Sequence, residues 1–234
     1  MSSSYKQLVS AVDEPMEVYL SQKGYISSSK LRKTAEGTTE VNLPKRSRLL
    51  MGDAFHSLVL EPGVFNKYYV ELEATFADKK DQRQKLTSEQ FLNLSRAKSK
   101  LFEVNDGCYQ KLIEEGRKEL SIYWSDDCGV RFKVRPDVIV RDLIVDLKTF
   151  SPSSRKAFLA DPYRRGYLLQ AALYREAITL LTDRVPQFAF LIVELSKPYR
   201  ITWDLLDSEQ LKYATSYLSK IKSQFLQDGL KLNN

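Results

Sequence analysis

Cysteine is nearly absent from the chain: there are two, Cys108 and Cys128, and no C-x-x-C. This excludes a disulfide framework and any four-cysteine zinc or iron–sulfur site. Histidine is scarcer still, His56 being the only one. No apolar run approaches the length of a membrane span, and the opening residues MSSSYKQLVSAVDEP lack the apolar core of a signal peptide. The expected location is therefore the cytoplasm. No internal repeat is visible. What is present is an apolar fraction of 43%, enough for a sizeable core, beside an ordinary charged fraction of 28%. Basic residues outnumber acidic ones 36 to 30, a net +6 that leans mildly toward anionic partners. A length of 234 residues suits one large domain.

The first half reads as mainly helical. A helix is predicted over 3–23, capped by Ser3 or Ser4, then a polar, aperiodic loop over 27–47. In SRLLMGDAFHSLVLEP, Leu50, Met51, Ala54, Phe55, Leu58 and Val59 recur at helical spacing, and Pro62 follows the stop. Residues 77–86 form a charged connector, and two more helices are expected near 87–100 and 105–118. The texture then changes. Three successive strands are predicted over 119–125, 130–140 and 143–150, with turns at SDDCG and at Arg141 and Asp142. A helix near 162–183, strands near 187–195 and 199–205, and a helix near 208–228 close the chain. This order makes one α/β or α+β domain, helical over 1–118 and sheet-based over 119–234.

Within VRFKVRPDVIVRDLIVDLKTF, residues 130–150, three charges interrupt an apolar strand pattern: Asp137, Asp146 and Lys148. Such charges cost stability unless paired. Asp146 and Lys148 share a strand face, as do Arg135 and Asp137. A two-residue turn at Arg141 and Asp142 sets Val140 opposite Leu143, and counting back sets Asp137 opposite Asp146. Directly opposed side chains lie about 4.5–5.5 Å apart at Cβ, where like charges repel. A divalent cation with hard oxygen ligands would hold them together, and Lys148 on the same face would hold a water or steady charge on a phosphate. The competing interpretation is a solvated ion-pair network on a hairpin face, and a three-residue loop would break the pairing.

His56 lies just past the edge of its helix's apolar arc, as a boundary histidine or as a metal ligand from a helix packed on the sheet edge. Gln170 and Tyr174 share one helical stripe with Tyr163 and Tyr167, and a glutamine in an apolar stripe needs a partner, backbone or metal site. Glu119 opens the first strand, either as a carboxylate for a second metal or as a solvated strand end. Arg135, Arg164, Arg165, Lys45, Arg46, Arg48 and the run from Lys79 to Lys85 are basic positions that would contact a nucleic-acid backbone if the substrate is DNA. Trp124 and Trp203 fall on strands and are expected in the core.

The order of GDAFHSLVLEP, ELSIYW, VRFKVRPDVIV, IVDLKT, YLLQAALYREA and FLIVELSKPY resembles the nuclease domain of the exodeoxyribonuclease VIII (RecE-like) phage exonucleases, within the PD-(D/E)XK nuclease superfamily. The resemblance covers about residues 48 to 225, and SSSYKQLVSAVDEPMEVYL looks like the family's opening helix. It implies a restriction-endonuclease-like core, a central mixed sheet flanked by helices. It implies that His56, Asp137, Asp146 and the Leu147 carbonyl hold Mg²⁺ or Mn²⁺, one or two ions per site. It also implies that Lys148 activates the attacking water, and that Gln170 and Tyr174 back the site. Glu119 falls where relatives often carry a glutamate. The implied activity is ATP-independent digestion of linear duplex DNA, 5′ to 3′, by a toroidal trimer or tetramer working beside a RecT-like single-strand annealing protein. Two rivals remain: a RecB-like endonuclease or repair nuclease, and a non-catalytic DNA-binding module on the same fold.

Overall fold

A computed structural model describes residues 9–36, 46–72, 82–150 and 166–231. Its elements run in the order β1 (Val9–Val12), α1 (Met16–Ser21), α2 (Ser28–Glu36), α3 (Arg46–Leu60), α4 (Pro62–Tyr68), β2 (Tyr69–Glu71), β3 (Gln84–Leu86), α5 (Ser88–Glu103) and α6 (Cys108–Glu115). There follow β4 (Arg117–Lys118), β5 (Ser121–Ser125), β6 (Arg131–Val134), β7 (Val138–Val140), β8 (Leu143–Phe150), α7 (Tyr167–Thr182), β9 (Gln187–Glu194), β10 (Ile201–Leu205) and α8 (Ser208–Lys231). No helix among them is long and apolar enough to cross a membrane.

The central sheet is mixed, with strand order β10-β9-β8-β7-β4. Only β8 and β9 run parallel; the other neighbours are antiparallel. Alternation along β8 sends Ile144 and Phe150 into a core with α7 and α8, and Val145 and Leu147 into a second core with α3, α5 and α6. Along β9 the same alternation sends Phe188, Phe190 and Ile192 to the first core, and Leu191 and Val193 to the second. The sheet is thus covered on both faces, which explains why β8 and β9 read as almost continuous apolar runs.

Three elements depart from the sequence expectation. The helix predicted over 3–23 is, in its described part, β1 followed by the short α1. β1 pairs antiparallel with β5, Ala11 opposite Ile122, and Pro15 stands as the N-cap of α1. Proline lacks the N–H of a helix interior and fixes its own φ, so one continuous helix cannot pass through it. The loop predicted over 27–47 contains α2, whose Leu31 is fully buried with Ala35 packed one turn on. Among the described residues of α2 only this narrow stripe is covered, which is why the helix reads as polar. Finally, the strand predicted over 130–140 is two strands. Pro136 cannot donate a ladder hydrogen bond. The chain therefore leaves the three-stranded sheet β1-β5-β6 after Val134 and joins the central sheet at Val138.

Smaller departures follow the same logic. Pro62 does not merely follow a helix stop but opens α4, at the first-turn position where proline is favoured. Within the charged connector, β3 pairs parallel with β2 and fully buries Leu86. Arg117 and Lys118, expected to end a helix, form β4. α5 starts at a capping box, Thr87 accepting from the Gln90 N–H and the Gln90 side chain accepting from the Thr87 N–H. Trp124 is buried against Phe132, and Trp203 stacks on Tyr109.

Candidate active site

The β7–β8 hairpin has the expected register. Val138 pairs with Val145, Ile139 with Ile144 and Val140 with Leu143. Arg141 adopts φ of 52°, the left-handed conformation that a two-residue hairpin turn demands. Continuing the register by one step brings Asp137 across from Asp146.

Asp137 Oδ2 accepts from the Leu147 N–H at 2.6 Å, and His56 Nε2 stands 2.6 Å from the Leu147 carbonyl oxygen. The same His56 nitrogen is 3.5 Å from Asp137 Oδ2. Leu147 of β8 is therefore held at both its N–H and its carbonyl, in two successive peptide units. A carbonyl only accepts, so Nε2 carries the proton in this arrangement, and a metal at Nε2 would have to displace it. α3 brings His56 here because Gly52 lets the helix approach β8: a Cβ at position 52 would lie 3.2 Å from Thr149 Oγ1.

Glu119 completes the cluster. Ligand atoms of His56, Glu119 and Asp137 lie within 4.8 Å of one another. Glu119 sits at φ of 52°, and its N–H donates to the Asp137 carbonyl at 3.1 Å. Its carboxyl is pushed up to about 7, first by burial and second by the Asp137 charge, against the pull of His56 and Arg135. The Asp137 carboxyl is raised well above the carboxylate range, again by burial first and by Asp146 next.

Asp146 lies beside this cluster and turns toward α7. Its side chain is fully buried. Oδ1 accepts from Gln170 Nε2 at 2.7 Å. Oδ2 forms a buried ion pair with Lys148 Nζ at 2.5 Å. Burial by itself would lower the Lys148 ammonium, but the charges of Asp146 and Asp137 outweigh it and raise it. Gln170 serves three neighbours. Its oxygen accepts from Lys148 at 3.2 Å, and its amide nitrogen donates to Asp146 and, at 3.0 Å, to the Tyr174 hydroxyl. Lys148 also lies 5.3 Å from the centre of the Tyr167 ring.

The structure thus brings His56, Glu119, Asp137, Asp146, Leu147, Lys148, Gln170 and Tyr174 to one place. It does not leave Arg135 available as a DNA contact. That side chain is buried, and Nε donates to Glu119 Oε2 at 2.7 Å. Arg46 and Arg48 fall in the first turn of α3. Lys45, Arg164, Arg165 and residues 79–81 lie outside the described residues. Sequence reasoning missed Ser121 and Glu14, which hold Arg135; their signal is only long-range and no spacing reveals it. A groove of about 890 Å³ lined by Leu112, Val140, Arg141 and Val185 lies at the hairpin's turn and contains none of the site residues.

A family model described as a PDDEXK-like domain of unknown function, DUF3799, matches residues 2–227. The chain belongs to that family. This places the DUF3799 chain in the PD-(D/E)XK nuclease superfamily without singling out the exodeoxyribonuclease VIII branch. Its fold is similar to the crystal structure of a proposed exonuclease from Eubacterium rectale. The TM-score is 0.66 at 16% identity, over 92% of this chain and 86% of that one. No curated protein matches it in sequence.

The donor set fits a divalent ion. It offers two buried carboxylates, an imidazole, a peptide carbonyl and, alongside, the buried Asp146 carboxylate paired with Lys148. Mostly hard oxygen donors suit Mg²⁺ or Mn²⁺, and the imidazole is tolerated better by the second.

Proposed function

We propose that this DUF3799 protein is a divalent-metal-dependent deoxyribonuclease that hydrolyses linear duplex DNA from its ends. The observation that carries the reading is the meeting of the His56, Glu119 and Asp137 cluster with the Asp146–Lys148–Gln170 network on one hairpin. His56, Asp137, Asp146 and the Leu147 carbonyl, with Glu119, would hold the ion. A bound ion supplies an acidified water and positive charge for the leaving oxygen. Lys148, half enclosed between Asp146 and the Tyr167 ring, orients the attacking water and steadies charge on the phosphate. Gln170 bonds both Lys148 and Asp146 and so fixes their ion pair in place, and Tyr174 anchors Gln170 from behind.

Mg²⁺ or Mn²⁺ as the ion, 5′ to 3′ polarity, a toroidal trimer or tetramer, an annealing-protein partner, a role in phage-type recombination and a cytoplasmic location rest on the resemblance to the exodeoxyribonuclease VIII family. Enclosure of the substrate gives a physical reason for the oligomer, since one chain of this size cannot surround a duplex. Linear duplex labelled at its 5′ or 3′ end, and a circular duplex, are incubated with the protein and Mg²⁺ beside Asp146→Ala. The expected result is nucleotide release from linear DNA only, lost at least a thousandfold in the variant. Cleavage of the circle would point to an endonuclease, and equal release by the variant would refute the site.

A further inference from the structure

We infer that Arg135 is a positioning residue for the metal site, holding Glu119 against His56 and Asp137 and tying the N-terminal segment to that carboxylate. The inference rests on the metal-dependent reading above. Arg135 is buried, and its Nε and Nη1 make three hydrogen bonds. Nε donates to Glu119 Oε2 at 2.7 Å. Nη1 donates to Ser121 Oγ at 2.9 Å and to the Glu14 carbonyl at 2.8 Å. Nη2 stands 4.0 Å from Glu61 Oε1. These partners come from the start of β5, the link between β1 and α1, and the junction of α3 and α4. Each is adjacent to an element that bounds the cluster.

Two facts say why such a hub is needed. Glu119 has a left-handed backbone, uncommon outside glycine, which aims its side chain but must be held by its surroundings. Its carboxylate is also buried beside a second one, Asp137, so it requires a fixed positive neighbour. Arg135 meets both needs because its planar fork donates in several directions at once. The same commitments prevent it from swinging out to a DNA phosphate. The segment carrying Glu14 is fastened again beside the hub, since the Glu14 carboxylate accepts from the Tyr123 hydroxyl and the Tyr19 carbonyl accepts from Lys133 Nζ at 2.5 Å. The segment from Glu14 to Tyr19 is thereby fastened beside the Arg135 hub.

The test is Mn²⁺ affinity of the full chain, by calorimetry or by the paramagnetic resonance of free Mn²⁺. The variants are Arg135→Gln, Arg135→Lys, Glu119→Gln and the doubles, with metal-free melting as the check on folding. Arg135→Gln should weaken Mn²⁺ about tenfold. Arg135→Lys, which keeps the charge but loses the fork, should weaken it about fivefold while melting within a few degrees of the unsubstituted chain. In the Glu119→Gln background either Arg135 change should alter affinity less than twofold, because its route to the metal is already gone. Affinity within twofold of the unsubstituted chain in the Arg135 variants overturns the inference alone, as does an undiminished effect in the Glu119→Gln background. No Mn²⁺ uptake by the unsubstituted protein overturns the metal reading and this inference with it. Should Arg135→Gln fail to fold, or Glu119→Gln bind too weakly for the cycle, Arg135→Lys against the unsubstituted chain decides.

Discussion

Replacing Glu119 by glutamine should change how stability depends on pH more than it changes stability at any one pH. The Glu119 carboxyl is raised from 4.5 to about 7, by burial and then by Asp137. Between those values the folded chain still binds a proton that the unfolded chain has released, so stability falls as pH rises. The destabilising contribution is absent below about pH 4.5 and complete above about pH 7. At 1.36 kcal/mol per pH unit the difference amounts to about 3 kcal/mol. Glutamine is isosteric and does not titrate. The assay is urea denaturation in the presence of EDTA, both proteins, from pH 4.5 to 8. The unsubstituted chain should lose about 3 kcal/mol relative to Glu119→Gln across that window. Asp137 is raised in the same direction, and because Glu119 and Asp137 repel one another, neutralising Glu119 also eases Asp137, which adds to the difference with the same sign. A stability difference that does not change with pH, or that changes with the opposite sign, would refute the placement of Glu119 in a buried anionic pair.

Two further substitutions probe the network and the fold. Lys148→Met leaves Asp146 buried without its counter-charge, which should cost about 3 kcal/mol in EDTA. Mn²⁺ should restore part of that stability, so denaturation with and without the ion checks whether Asp146 and the ion share a site. Leu31→Ala removes a fully buried side chain from α2, at an expected cost of about 2–5 kcal/mol. A loss under 0.5 kcal/mol would mean that α2 is not packed as described.

The hairpin was legible in advance because its information is local. Strand alternation puts Asp146 and Lys148 on one face, and a turn at Arg141 and Asp142 sets the register that carries Asp137 opposite Asp146. Gln170 was legible for a related reason, as a polar residue within an apolar helical stripe. α2 was not, since among its described residues Leu31 alone is fully buried, too narrow a stripe to read as a helix. β1 was misread because its strand character comes from pairing with β5, more than a hundred residues away.

By itself, then, the order of residues determined the chemistry on offer: one histidine, two facing aspartates, a lysine one strand step on, and a glutamine aimed at them. Folding decided which of these share a ligand cluster. It grouped His56 and Asp137 with Glu119 and turned Asp146 toward Lys148 and Gln170. It also converted Arg135 from an apparent surface cation into the buried partner of Glu119. The physical reason is that a side chain's role depends on what desolvates it and what neutralises it. Here both come from segments distant in the chain, which no local spacing encodes.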